Sequence, residues 1–191
     1  MAGLVGRRAG RKWVLAVLLV SVLLAVPLPT LVVSSRQGEA VLRLPLLIDK
    51  SFTIEYIHSV NKTPVQEHFV LAPGHDLLLT ATTFRALGVG TPFLPEEGKL
   101  ENHGGVYVLS GINRHFKQIN LAFLPLTRHA LVYRGERYDF EDYFPPGSLI
   151  AIQVKPCSLA QIIILNIRKE VKLDRAQSST ARPVEYRPVY G

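Results

Sequence analysis

Between Ala40 and Val154 the chain switches repeatedly between apolar and polar residues with a period of two. The run Phe52-Thr-Ile-Glu-Tyr-Ile-His-Ser59 puts Phe52, Ile54, Tyr56 and His58 on one face of a strand. Thr53, Glu55, Ile57 and Ser59 fall on the other, as strand geometry requires. Val65-Gln-Glu-His-Phe-Val-Leu71 alternates in the same way, and Val60-Asn-Lys-Thr-Pro64 joins the two runs. Two alternating runs with a five-residue connection predict a β-hairpin. Pro64 is tolerable at the start of the return strand, where no ladder donor is needed. Further strands are predicted over Ala40–Ile48, Asp76–Thr82, Gly105–Leu109, Ile119–Phe123, Ala130–Tyr133 and Ser148–Val154. Between them stand turn signals such as Pro73-Gly74, Pro95-Glu-Glu-Gly98, Gly104-Gly105, Arg134-Gly135 and Pro145-Pro-Gly147. About eight short strands with punctuation roughly every ten residues predict an all-β domain, an antiparallel sandwich or partly closed barrel. Leu159–Val171 fits a helix by length and a strand by its β-branched residues; the strand is the expectation.

The N-terminus follows another pattern. Trp13 to Ser35 holds 23 residues without a charge, and Arg7, Arg8, Arg11 and Lys12 stand immediately before it. Its dense part, Trp13–Val26, has the length of a signal-peptide core. The whole run approaches the ~20 residues that span a bilayer. Residues 1–35 are therefore expected to form a retained signal anchor or a cleaved signal peptide. Basic residues before the run hold the N-terminus in the cytoplasm and send the following domain across the membrane. Cleavage-like small residues occur at Leu23-Leu24-Ala25 and Val33-Ser34-Ser35. Residues 36–173 are then the extracytoplasmic β-domain, and 174–191, rich in Arg, Ser, Pro and Tyr, a disordered tail.

Charge excludes one class of partner. The formal net charge is +7, but 12 basic and 12 acidic residues balance over Arg36–Ile167, so the excess lies at the two ends. A phosphate-binding face would concentrate it within the domain, and no nucleic-acid partner is expected. Cys157 is the only cysteine, which rules out an intramolecular disulfide and a thiolate zinc cluster. The six histidines form no His-x-x-x-His or His-Glu-x-x-His pair, and neither a metal nor another cofactor is expected. His58, Ser59 and Glu67 have the residue types of a nucleophile triad, without a Gly-x-Ser-x-Gly elbow to present the serine. In the hairpin His58 and Glu67 are candidates to meet across the strands.

The hairpin carries a resemblance. Ile54-Glu-Tyr-Ile-His-Ser-Val-Asn-Lys-Thr-Pro-Val-Gln-Glu-His-Phe69 resembles the Tyr-x-His-Ser-Val-x-x-Thr-Pro-Val-x-Glu signature of the bacterial and archaeal family catalogued as domain of unknown function 1850. Downstream, Phe84-Arg-Ala-Leu-Gly88-Val-Gly90-Thr-Pro92 is similar to its second motif, with Ala86-Leu87 where a Ser-aromatic pair is usual. Members are typically small exported or membrane-anchored proteins associated with the membrane subunit of TAXI-type TRAP transporters, which import organic acids. The resemblance implies a non-catalytic, membrane-anchored accessory protein of such a transporter. Its expected binding or interface residues are His58, Ser59, Thr63, Pro64, Glu67, Phe84, Gly88, Gly90 and Pro92. Competing expectations are a stand-alone ligand- or metal-binding module using His58 and Glu67, and a hydrolase using His58, Ser59 and Glu67.

Overall fold

The computed structural model describes residues 5–87 and 97–167. The Gly88–Pro92 turn and the 174–191 tail lie outside the described residues. After helix α1 (Val5–Ala25) the chain forms eleven strands: β1 (Pro27–Ser35), β2 (Ala40–Pro45), β3 (Ser51–Ile57), β4 (Pro64–Leu71), β5 (Leu77–Phe84), β6 (Lys99–His103), β7 (Val106–Phe116), β8 (Ile119–Ala122), β9 (Ala130–Tyr133), β10 (Glu136–Asp139) and β11 (Leu149–Ser158). Residues 159–167 form a second helix, α2. Two antiparallel sheets result, one in the order β2-β1-β11-β8 and the other β10-β9-β3-β4-β5-β7-β6. The expectation of an all-β antiparallel fold holds. The sheets are open rather than closed into a barrel, and the strands among the described residues exceed the expected eight by three.

One hydrophobic core joins the inner faces. Leu31, Val33, Ile150 and Ile152 from the smaller sheet share a cluster with Phe52, Ile54, Phe69, Leu77 and Leu131 from the larger. Phe69 stacks on Phe52 at 5.3 Å and meets Phe116 edge-on at 6.1 Å, the arrangements that aromatic quadrupoles favour.

The membrane helix needs correction. No helix among the described residues is long and apolar enough to cross a membrane. The uncharged run divides at Val26: its first part ends α1, and Pro27–Ser35 becomes β1. β1 lies between β2 and β11, with nine residues in register from Pro27 opposite Ser158 to Ser35 opposite Ile150. It is buried on both faces. Leu31 and Val33 point into the core, while Val32 packs outside against Cys157 and Ile162 of α2. A strand covered on both sides loses its alternation and reads as a continuous apolar run.

α2 corrects the strand expected after Leu159. Ile162 is the residue it buries, Arg43 Nη1 donates to the Gln161 carbonyl at 3.1 Å, and Ile163, Ile164 and Ile167 face outward. A single residue buried on the sheet, with its neighbours facing outward, suits a short helix lying on a sheet better than a further strand.

The two ends of the sandwich are distinct. α1 leads through Val26 directly into Pro27. At this end the Leu46 amide donates to the Pro29 carbonyl at 2.8 Å. The Tyr133 hydroxyl donates to the carbonyls of Pro45 at 2.6 Å and Asp49 at 3.2 Å. β3 starts here at Ser51 and runs to Ile57, a distance of roughly 20 Å at strand rise. The β3–β4 turn therefore lies at the end away from α1.

Candidate functional site

The family-like motif occupies that far end and separates into an exposed tip and an inner support. At the tip, the His58 amide donates to the Thr63 carbonyl and the Lys62 amide to the His58 carbonyl, both at 2.9 Å. Lys62 closes the turn in the left-handed region at φ 54°. The His58 ring belongs to this turn. Its Nδ1 accepts the amides of Val60 at 3.3 Å and Asn61 at 3.2 Å, the role that Asx and Ser/Thr side chains commonly play in loops. Ser59, Val60, Lys62 and Pro64 are exposed, whereas His58 and Thr63 are half-buried. Val60 leaves 66% of its surface uncovered.

Register settles the partner of Glu67. Ile54 lies opposite Glu67 and Ile57 opposite Pro64, so the position facing Glu67 is four residues, about 13 Å, before His58. Instead the Tyr56 hydroxyl donates to Glu67 Oε1 at 3.3 Å. The structure thus brings Tyr56, not His58, to Glu67, and the triad of His58, Ser59 and Glu67 is not assembled. Nor do three or more His, Cys, Asp or Glu side chains group to hold a metal ion among the described residues.

Glu67 sits on the inner face between Val65 and Phe69, both buried. Loss of water raises its pKa above the ordinary carboxylate value, against the Tyr56 hydrogen bond and the Arg114 charge, which lower it. Desolvation, then the Glu67 charge, pushes the Tyr56 phenol above its usual range. The Tyr56 ring stacks on His129 at 5.3 Å. Thr127 Oγ1 donates to the Leu124 carbonyl at 2.7 Å and so receives the His129 Nδ1 proton at 2.7 Å. Burial holds the His129 pKa down to about 4, and the ring is neutral at physiological pH. Across from Glu67 on β5 stands Thr82, fully buried, whose Oγ1 has no partner among the described residues. The result is a low-dielectric polar cluster of a phenol, a carboxylate, a neutral imidazole and a hydroxyl beneath the hairpin. Such a cluster suits hydrogen bonding and positioning.

Phe84, the described part of the second motif, ends β5 opposite Val65 and is buried against Tyr107 at 5.7 Å. The two motifs therefore meet at one end of the sheet, with Leu87 beyond Phe84 about half exposed. Sequence reasoning missed His129, Thr82 and Arg114. Each reaches the hairpin through another strand or loop, and the sequence around it carries no signal.

No curated protein and no solved structure matches the chain. Residues 52–140, from the first residue of the alternating hairpin to Phe140 just after β10, match the family described as Domain of unknown function (DUF1850), which supports placing this stretch with that family.

Proposed function

We propose that this chain is a non-catalytic accessory protein of a TAXI-type TRAP solute transporter, with its sandwich directed to the extracytoplasmic side by the basic and apolar N-terminus. The observation that carries this reading is the division of the motif into a braced inner pair, Tyr56 and Glu67, and an exposed tip at Ser59, Val60 and Pro64. An enzyme would gather its polar groups around a reacting atom, whereas a recognition element holds a fixed loop out to a partner. Also in support are the match over residues 52–140 and the transporter association implied by the motif's resemblance. For the location, Trp13–Ala25 is an uncharged helical stretch whose large side chains are exposed, with Trp13 at 74%. Aliphatic exposure on that scale is unfavourable in water and is relieved in a bilayer. The basic residues before it set the N-terminus inside. Alkaline phosphatase fused after Gly191 should be active in intact cells. An active cytoplasmic reporter in its place would contradict the assigned side.

A further inference from the structure

The outer face of the smaller sheet carries a trough. Ile150, Ile152 and Val154 of β11 point into the core, so Ala151, Gln153 and Lys155 point away from it. Ser34 on β1 and Asn120 on β8 flank Ala151 in register on the same face. α2 covers this face where it packs on Val32 and Cys157, and next to it a cavity of about 540 Å³ stays open. The floor is short: Ser34 and Ala151 are 4% and 8% exposed, and the Ser34 hydroxyl donates to the Ala151 carbonyl at 3.5 Å. The walls are longer and polar, with Gln118, Asn120 and Gln153 between Arg36 at one end and Lys155 at the other. The Arg36 amide donates to the Leu149 carbonyl, which sets Arg36 level with the start of β11. Lys155 stands six positions further along that strand, about 20 Å at strand rise.

The lining defines the occupant. Among the described residues no carboxylate lines the trough, and Arg36 and Lys155 take no part in the ion pairs found there. Two uncompensated cations call for a negative ligand. Between them, Gln118 Nε2 donates to Asn120 Oδ1 at 2.6 Å, which leaves Asn120 Nδ2 as a donor and Gln118 Oε1 as an acceptor. Such paired amides match hydroxyl groups, each of which donates and accepts. An acidic peptide would instead seek backbone groups at a strand edge, whereas a sheet face has its backbone groups engaged in the ladders and offers side chains alone. The chain's own C-terminal stretch has the wrong sign, since Arg168–Gly191 carries six basic and three acidic residues. We infer that the trough binds a short acidic oligosaccharide, whose carboxylates meet Arg36 and Lys155 and whose hydroxyls meet Gln118, Asn120 and Gln153. The hairpin motif lies on the other sheet, so this site and the proposed accessory role stand or fall separately.

Calorimetric titration of the full chain in a neutral detergent tests this with trigalacturonate, trimannuronate, neutral galactotriose and the peptide tetraglutamate. The expected result is saturable binding of one or both acidic sugars, with the neutral sugar and the peptide weaker by roughly tenfold or more. Lys155→Gln should weaken the acidic sugar about tenfold and Asn120→Ala several-fold, the scales of a charge-assisted and a neutral hydrogen bond. Both side chains are exposed, so the melting temperature should hold; Arg36→Gln serves as the charge variant if Lys155→Gln shifts it. Absence of binding by both acidic sugars overturns the site. Tetraglutamate bound as tightly as the sugar overturns the assignment to a saccharide and leaves a general anion surface. Acidic-sugar binding that survives both variants unchanged places it elsewhere on the chain and overturns the trough.

Discussion

A chain that begins at Arg36, without β1, will fail to fold, while one that begins at Val26 will keep the sandwich. The reason is the position of β1 inside the smaller sheet. Leu31, Val32 and Val33 are each 4% exposed or less, and burial of such side chains is worth about 1.5–3 kcal/mol apiece. Their loss alone is on the scale of the roughly 5–15 kcal/mol that stabilises a domain. Removal of β1 also opens the ladders to β2 and β11 and uncovers the core from one side. Far-ultraviolet circular dichroism and a thermal melt distinguish the two proteins. A cooperative melt from the chain that begins at Arg36 would refute the assignment of β1. Processing is constrained in the same way: cleavage after Ser35 would remove a core strand, and cleavage after Ala25 would spare it.

The second large effect concerns Glu67. Its pKa is raised in the folded state, chiefly by burial, so the folded chain holds this proton more tightly than the unfolded chain does. Stability from this group is therefore full below the unfolded value, about 4.3, and falls as pH rises through the folded value. Glu67→Gln keeps an oxygen for the Tyr56 hydroxyl and does not titrate. Its melting temperature should match the native protein's at acid pH and exceed it increasingly toward neutral pH. Tyr56→Phe should act in the opposite sense, costing about 1–3 kcal/mol by leaving a buried carboxylate oxygen unpaired. Melting curves of the three proteins between acid and neutral pH provide the check. A Glu67→Gln variant that is less stable at neutral pH would show that the ionised carboxylate is held by compensating charge.

What could be read from the sequence depended on whether strands were half-buried. β3, β4 and β5 each keep one more covered and one less covered face, and their alternation located them within a residue or two, whereas β9, apolar throughout, was located as a short apolar run bounded by the Arg134-Gly135 turn. β1 escaped because both its faces are covered, one by the core and one by α2, so it merged with the apolar helix before it. β6 and β10 escaped for the opposite reason. Lys99-Leu-Glu-Asn-His103 and Glu136-Arg-Tyr-Asp139 are the two edges of the larger sheet. Edge strands carry charge that blocks pairing with other chains, and this charge erases the apolar signal. In α2 the β-branched isoleucines favoured a strand locally, but the outer face of the smaller sheet takes up Ile162 alone.

At the candidate site the residue types were legible and their partners were not. His58 and Glu67 stand nine positions apart in one motif, and only the register of Ile54 against Glu67 shows that they belong to different functions. One caps the turn through its ring nitrogen; the other faces inward to Tyr56. His129, which stacks on Tyr56, enters from the segment between β8 and β9, sixty residues beyond the motif's end at Phe69.

The proposed accessory role is tested most directly at Val60, on the hairpin tip. Its side chain is largely exposed, and a surface substitution there should change stability by no more than about 0.5 kcal/mol. Membranes from cells producing the chain with an affinity handle after Gly191 are solubilised, and co-purification of a multi-span permease is measured for the native chain and for Val60→Asp. The account predicts permease with the native chain and a large loss of it with Val60→Asp, at an unchanged melting temperature. Recovery of the native chain without a permease, or equal recovery with both chains, would contradict it.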